Sequence, residues 1–333
     1  MAHELEIRHG AAQMFSVKET PWHRLGKIIA EAPTTKEGIK MAGLDWTVSQ
    51  RPIFMATAAG EAQFLTNYRA ITRDFDERVY NIMSDQYTPL QNSEAFEFFD
   101  PFIESGLATL ETAGSLKMGA NVWCLARLNK APIEVGGGDE VYKYLLLSNA
   151  HDGTMAVRVG FTPIRVVCAN TLAMTFGEES KMLRIFHGRS VKENLDKVQD
   201  VVNAANARFE ATAEQYRFLA SRSVSKKDLQ KFVKIVFKQI ETTDEQQRKS
   251  AANERIMQDI TRLFETGRGA NLKSANGTYW GLYNAASEYF NYERGDQEDI
   301  RLKSLWFGSS AKMNEHALDT AMKMSQQMAM VVA

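Results

Sequence analysis

The sequence holds only seven prolines and two cysteines in 333 residues, and its formal net charge is -1. Two cysteines cannot build a disulfide framework. Cys124 and Cys168 each sit in an apolar, strand-like run, the usual setting of a buried thiol in a reducing compartment. No apolar run approaches the roughly 18 residues that a membrane-spanning helix requires. The opening MAHELEIRHG is polar and charged, so neither a signal peptide nor a membrane association is expected, and the cytoplasm is the expected location. Near-neutral charge excludes a uniformly basic coat. It does not exclude a local basic groove, because phosphate affinity follows the field at the site and not the total charge.

Several chemical signatures are missing as well. Neither a Walker-type GxxxxGKS/T nor a GxGxxG following a strand occurs, which disfavours an ATPase or a dinucleotide enzyme. There is no HExxH or CxxC, and the six histidines show no ligand spacing, so no metal and no cofactor are expected. His151-Asp152-Gly153 could be an acid–base or metal pair, but it also reads as a tight turn whose side chains bond the backbone. Cys168 beside a histidine could be a nucleophile, although its apolar run fits a core thiol better. No catalytic residue is assigned. Gly136-Gly137-Gly138 reads as a hairpin loop.

What is present is a change of period. Residues 46–53, 62–72 and 79–84 alternate as strands, and 108–113, 118–128 and 142–148 form a second β group. Thr34 or Thr35 caps a helix closed by Gly43, and Asn92 or Ser93 caps another that stops at Gly106. From Ser190 the period is near 3.6, with helices expected from 190 to about 221, from Ser225 through Val236, and over 253–266, 278–291 and 311–330. The expected fold is α+β: an antiparallel sheet with flanking helices and an N-terminal arm in residues 1–188, then a helical region in 189–333. Trp22 is expected to pack on the core. The C-terminal methionines and the aromatics Trp280, Tyr283, Tyr289, Phe290 and Tyr292 offer apolar surface for self-association.

The segment Leu145–Leu172, LLLSNAHDGTMAVRVGFTPIRVVCANTL, carries the most functional information. It reads as strand, turn and strand to Val159, a break over Gly160–Pro163, a third strand over Ile164–Cys168, and then Asn170-Thr171 capping a helix to about Phe176. A helix start beside strand arginines gathers N–H donors and guanidinium groups around an anion. Lys117, Arg158, Arg165, Asn170, Thr171, Arg184 and Arg189 are therefore the candidate phosphate-binding residues. The phosphate could belong to a nucleic acid or to a small molecule. A β platform edged by Lys and Arg, with aromatics for stacking, suits a single strand held through its backbone.

The segments TPWHRLGK, YTPLQNSEAFEFFD, ETAGSLKMGANVWCLARL, LLLSNAHDGT, RVVCANTL and GTYWGLYNAASEYFNYERG resemble the phage/plasmid-like family that carries domain of unknown function 932. The matches run in order from about Trp22 to Phe307. At the level of fold, a β group followed by helices is similar to the Red-beta and RecT type of single-strand annealing protein. That similarity implies ATP-independent binding of single-stranded DNA in a basic groove and assembly as rings or filaments. The expectation is a non-enzymatic single-stranded DNA-binding and annealing protein of a phage or mobile element, active as a homo-oligomer. The alternatives are a phage-encoded interaction or anti-defence protein, and an enzyme acting on a phosphate-bearing small molecule around His151, Asp152 and Arg165.

Overall fold

A computed structural model of the chain describes residues 5–18, 26–165, 170–171, 182–188, 199–237, 246–294, 304–306 and 308–332. Trp22, Cys168, Arg189 and the helix expected over 172–176 lie outside the described residues. The strands are β1 (Ile7–Arg8), β2 (Ala11–Ala12), β3 (Met14–Val17), β4 (Lys27–Ile29), β5 (Val48–Ala56), β6 (Ala62–Arg73) and β7 (Val79–Ser84). They continue with β8 (Ala108–Leu116), β9 (Asn121–Leu128), β10 (Ile133–Gly136), β11 (Asp139–Ala150), β12 (Val157–Arg165), β13 (Asn170–Thr171) and β14 (Met182–Ile185). The fold is α+β, with antiparallel sheets in the N-terminal part and helices at the C-terminal end.

Two compact units divide the chain: residues 1–130, 144–161 and 180–204 form the first, and 131–143, 162–179 and 205–333 form the second. In the first, the strands follow the order β14-β12-β11-β9-β8-β3-β4, antiparallel at each register-defined pair except β3 with β4. The sheet buries Leu110, Ala113, Val122, Cys124, Leu145, Leu147 and Val157, and β9 is buried at nearly every position. Helix α1 (Thr35–Met41) begins at Thr34, whose hydroxyl accepts from the Glu37 N–H while Glu37 bonds back to the Thr34 N–H. That reciprocal pair satisfies two orphan donors. Gly38 lets α1 lie close on the sheet, since a Cβ there would come within 2.6 Å of Leu110 Cδ2. The single helix expected from Asn92 to Gly106 is two, α2 (Asn92–Glu97) and α3 (Asp100–Glu104), because Pro101 supplies no N–H to carry the first onward. Phe96, Phe98, Phe99 and Phe102 are buried across the break. Strands β5, β6 and β7 form a separate antiparallel meander.

In the second unit, β10 and the start of β11 make a hairpin closed by Gly136, Gly137 and Gly138, all at positive φ (148°, 62° and 81°). The buried Asp139 at its base accepts from Ser274 Oγ at 2.6 Å and Trp280 Nε1 at 2.8 Å. The helices are α4 (Gln199–Ala220, in this unit from residue 205), α5 (Lys226–Val236), α6 (Gln246–Thr266), α7 (Tyr279–Glu288) and α8 (Ser309–Val332). Helix α7 runs into a π-helical turn over Tyr289–Glu293, and α8 packs on α5 and α7. Trp280, Tyr283 and Phe290 are wholly buried, with the Tyr216 ring 4.6 Å from that of Trp280. These three are core and offer no surface for self-association, whereas Tyr289 and Tyr292, named with them from the sequence, are half-buried. No described helix is long and apolar enough to cross a membrane.

The Leu145–Leu172 block differs from its sequence reading in two places. Gly160–Pro163 does not break the chain, because β12 runs unbroken from Val157 to Arg165. Asn170 and Thr171 are strand residues, and the helix expected after them lies outside the described residues. They form β13, in register with Arg165 and Ile164.

Candidate nucleic-acid interface

At one end of the large sheet the chain turns from β8 into β9 through Lys117, Met118 and Gly119, all at positive φ (53°, 55° and 86°). Lys117 is exposed at this turn. The His151 N–H donates to Ala120 O at 2.8 Å, which ties the β11–β12 turn to the β8–β9 turn. Asp152 serves that turn itself: its Oδ1 accepts from the Thr154 N–H at 3.0 Å and hydroxyl at 2.6 Å. This is the local Asx bonding that the turn reading anticipated. Strand β12 enters at Val157, opposite Ile185 of β14, so Arg158 and Arg184 stand directly opposite each other.

The meander packs over this end through its third strand. Asn81 Nδ2 donates to Asp152 O at 2.8 Å, the Tyr80 hydroxyl reaches Met118 O at 3.4 Å, and Met83 occupies the space a Cβ on Gly153 would need. At its base β5 is held by Gln91, whose side chain bonds both the N–H (3.0 Å) and the C=O (2.9 Å) of Val48.

Beneath the meander lies a buried charged and aromatic cluster. Arg73, 2% exposed, donates to Glu6 Oε1 at 2.6 Å and bidentately to Asp76 at 2.9 and 2.7 Å. Its guanidinium also lies over the rings of Phe75, Trp46 and Tyr80. Burial opposes its charge, but the bonds to Asp76 and Glu6 outweigh it and raise the Arg73 pKa. The Tyr80 phenol is pushed up by burial. His151 is completely buried, stacked on Tyr80 with centroids 5.9 Å apart and against Trp46 at 5.3 Å. Burial, with His187 and Arg73 adding to it, lowers its pKa to about 3.

Its tautomer follows from Asn92. The Asn92 amide nitrogen donates to the carbonyls of Leu44 (3.0 Å) and Trp46 (3.4 Å), so Asn92 Oδ1 is the atom 3.0 Å from His151 Nε2, and Nε2 must carry the proton. His151 Nδ1 then has no hydrogen-bond partner among the described residues. A neutral, walled-in imidazole has no protonation change to offer near pH 7. The ring packs against Tyr80 and Trp46 in the core of the first unit.

Of the residues singled out in the sequence, the structure brings Lys117, Arg158 and Arg184 to one end of the sheet. Arg158 is half-buried and its pKa is lowered, first by burial and then by Arg184. Arg184 is exposed. Arg165, Asn170 and Thr171 belong to the second unit, in the β12–β13 pair. The sequence reading placed Arg184 after a helix and missed β14. It also missed the cluster of Glu6, Arg73 and His151, whose members lie far apart along the chain and carry no local motif.

A family model, Domain of unknown function (DUF932), matches residues 79–318. The chain belongs to the DUF932 family. No curated protein and no solved structure matches it. The DUF932 segment opens on β7 and takes in both turns at the sheet end, β12 and β14.

Proposed function

We propose that this DUF932 protein binds single-stranded DNA and anneals complementary strands without ATP, as a homo-oligomer encoded by a phage or another mobile element and working in the host cytoplasm. The observation that supports this most is the Arg158–Arg184 pair. Like charges directly opposite on an antiparallel pair repel and cost stability, and a bound anion relieves that cost. With Lys117 exposed on the neighbouring turn, the sheet end offers cations to successive phosphates. The reading is of a non-enzymatic protein, since annealing needs charge neutralisation and exposed bases and no bond chemistry. The order of a β group followed by helices, the basis of the likeness to Red-beta and RecT-type proteins, supports it by analogy alone. Arg165, Asn170, Thr171 and Arg189 belong to the proposal as further backbone contacts.

The test is binding of a labelled oligonucleotide across a salt series, followed by annealing of complementary strands with no nucleotide added. Binding that weakens linearly in log salt, together with annealing above the spontaneous rate, is the expected result. An absence of binding at low salt overturns the reading.

A further inference from the structure

Asn276 is the one asparagine in the sequence that a glycine follows. The pair forms the middle of a tight turn in the second unit, closed by the Thr278 N–H donating to Ala275 O at 3.2 Å, with Gly277 at φ 68°. Such a turn leaves the N–H of its third residue unused by its own closing bond. Among the described residues the Gly277 N–H donates to no acceptor, and nothing lies within 4 Å of where a Gly277 Cβ would stand. The Asn276 side chain is exposed and makes no hydrogen bond among the described residues.

The residues on either side are held firmly. Gly277 O accepts from the Val224 N–H at 2.9 Å, and the Tyr279 N–H donates to Arg222 O at 2.9 Å. With the Ser223–Thr278 bridge, these bonds tie the link between α4 and α5 to the start of α7. Thr278 Oγ1 caps α7 by accepting from the Gly281 N–H at 3.1 Å.

Asparagine is among the thermolabile side chains, and its weakness is attack by the next main-chain nitrogen. That attack needs an exposed carboxamide, an N–H with no acceptor to leave and no Cβ in the way, and Asn276-Gly277 meets each condition. We propose that Asn276 is a self-modification site. The Gly277 nitrogen bonds to Asn276 Cγ and expels the side-chain nitrogen as ammonia, which takes up through solvent the proton that the Gly277 nitrogen gives up. Water then opens the resulting succinimide at either carbonyl, leaving aspartate or isoaspartate at position 276, with no oxidant or reductant involved. Isoaspartate runs the main chain through the former side chain and lengthens it by one methylene. The Gly277 C=O and the Thr278 cap then lose register with their partners, and the tie between the α4–α5 link and α7 loosens.

The test ages the full chain in mildly alkaline buffer at physiological temperature, with peptide mapping by mass spectrometry and separation of aspartyl from isoaspartyl peptides. The peptide holding Asn276 should convert ahead of every other asparagine, chiefly to isoaspartate, and the melting temperature of the wild type should fall as it does. Gly277→Ala, whose Cβ has room in the fold, should lose most of the conversion. Asn276→Gln, whose extra methylene disfavours ring closure, should keep both its mass and its melting temperature over the same period. A folded wild type that stays unconverted at position 276 overturns the proposal. Conversion spread evenly over the asparagines overturns the assignment to this turn. Conversion that leaves the melting temperature unaltered overturns the loosening of α7.

Discussion

Arg158 and Arg184 face each other across β12 and β14 as a matched pair of cations, one half-buried and one exposed. An opposed like-charge pair lowers stability by roughly 0.2–1 kcal/mol, and under the proposed reading a bound phosphate offsets that cost. Stability and binding should then respond in opposite directions. Arg184→Glu should raise the melting temperature by turning repulsion into attraction, while weakening single-stranded DNA binding and lowering the salt slope by roughly 0.7 for one lost phosphate contact. Thermal denaturation and salt-dependent anisotropy of the same variant check this. A variant less stable than the wild type, with unchanged affinity, would remove the functional reading of the pair.

Gly119 is required by both its backbone and its surroundings. It sits at φ 86°, and a Cβ there would come within 2.5 Å of Arg73 Nη1 and 2.6 Å of the Tyr80 hydroxyl oxygen. Neither neighbour can withdraw easily, because Arg73 is bonded to Glu6 and Asp76. Gly119→Ala should therefore cost about 2 kcal/mol or more, combining positive-φ strain with overpacking. Gly60→Ala is the control: its φ of 84° is similar but nothing lies within 4 Å of its Cβ. Urea denaturation should give a clearly smaller loss there, and equal losses would mean that φ strain alone acts at Gly119.

Much of the architecture was legible because local signals and tertiary contacts agree. The strands expected over 62–72 and 79–84 form over 62–73 and 79–84, and Ser225 caps α5 with Asp228 completing the box. The failures have physical causes. Asn170-Thr171 reads as a cap pair in isolation, and its ladder with strand β12 has no local signal in the sequence. Gly160 and Pro163 read as breakers, yet β12 accommodates both, Pro163 lying beyond the β14 pairing that ends at Gly160. The salt-bridged core was not legible at all, since Glu6 and Arg73 lie 67 residues apart and Ser115 joins Glu6 from 109 residues away. The cationic patch was legible as an inventory of arginines, and only the register of β12 with β14 shows which two meet.

Glu6 should be more important to stability than its terminal position indicates. It is 2% exposed, accepts from Arg73 Nη1 at 2.6 Å and from Ser115 Oγ at 2.8 Å, and faces a guanidinium that is itself buried. Glu6→Ala leaves Arg73 with Asp76 alone and removes the carboxylate that balances it on the inner side. Removal of one partner from a buried pair costs about 3 kcal/mol or more. Replacing both, as in Glu6→Ala with Arg73→Met, should cost less than the sum of the same two single changes. A double-mutant cycle by chemical denaturation measures this, and additive losses would show that the two side chains act independently.

His151 predicts a pH dependence whose sign is fixed by the direction of its shift. Its pKa falls from an ordinary 6.5 to about 3 in the folded chain, chiefly through burial. Above pH 6.5 the imidazole is neutral in both folded and unfolded states, and its full contribution to stability is present. As pH falls below 6.5 the unfolded chain takes up a proton that the native site refuses, so stability is lost progressively toward pH 3. At about 1.4 kcal/mol per pH unit, the loss at pH 5 is about 2 kcal/mol from this group. His151→Gln retains an N–H donor for Asn92 Oδ1 and does not titrate. The variant should be less stable than the wild type at pH 7.5, through poorer packing against Tyr80 and Trp46, but its stability should fall less between pH 6.5 and 5. Denaturation midpoints at matched pH values give the comparison. Parallel curves for the two proteins would mean that His151 protonates in the native state near its ordinary pKa and that the Trp46–Tyr80 enclosure opens to admit the charge.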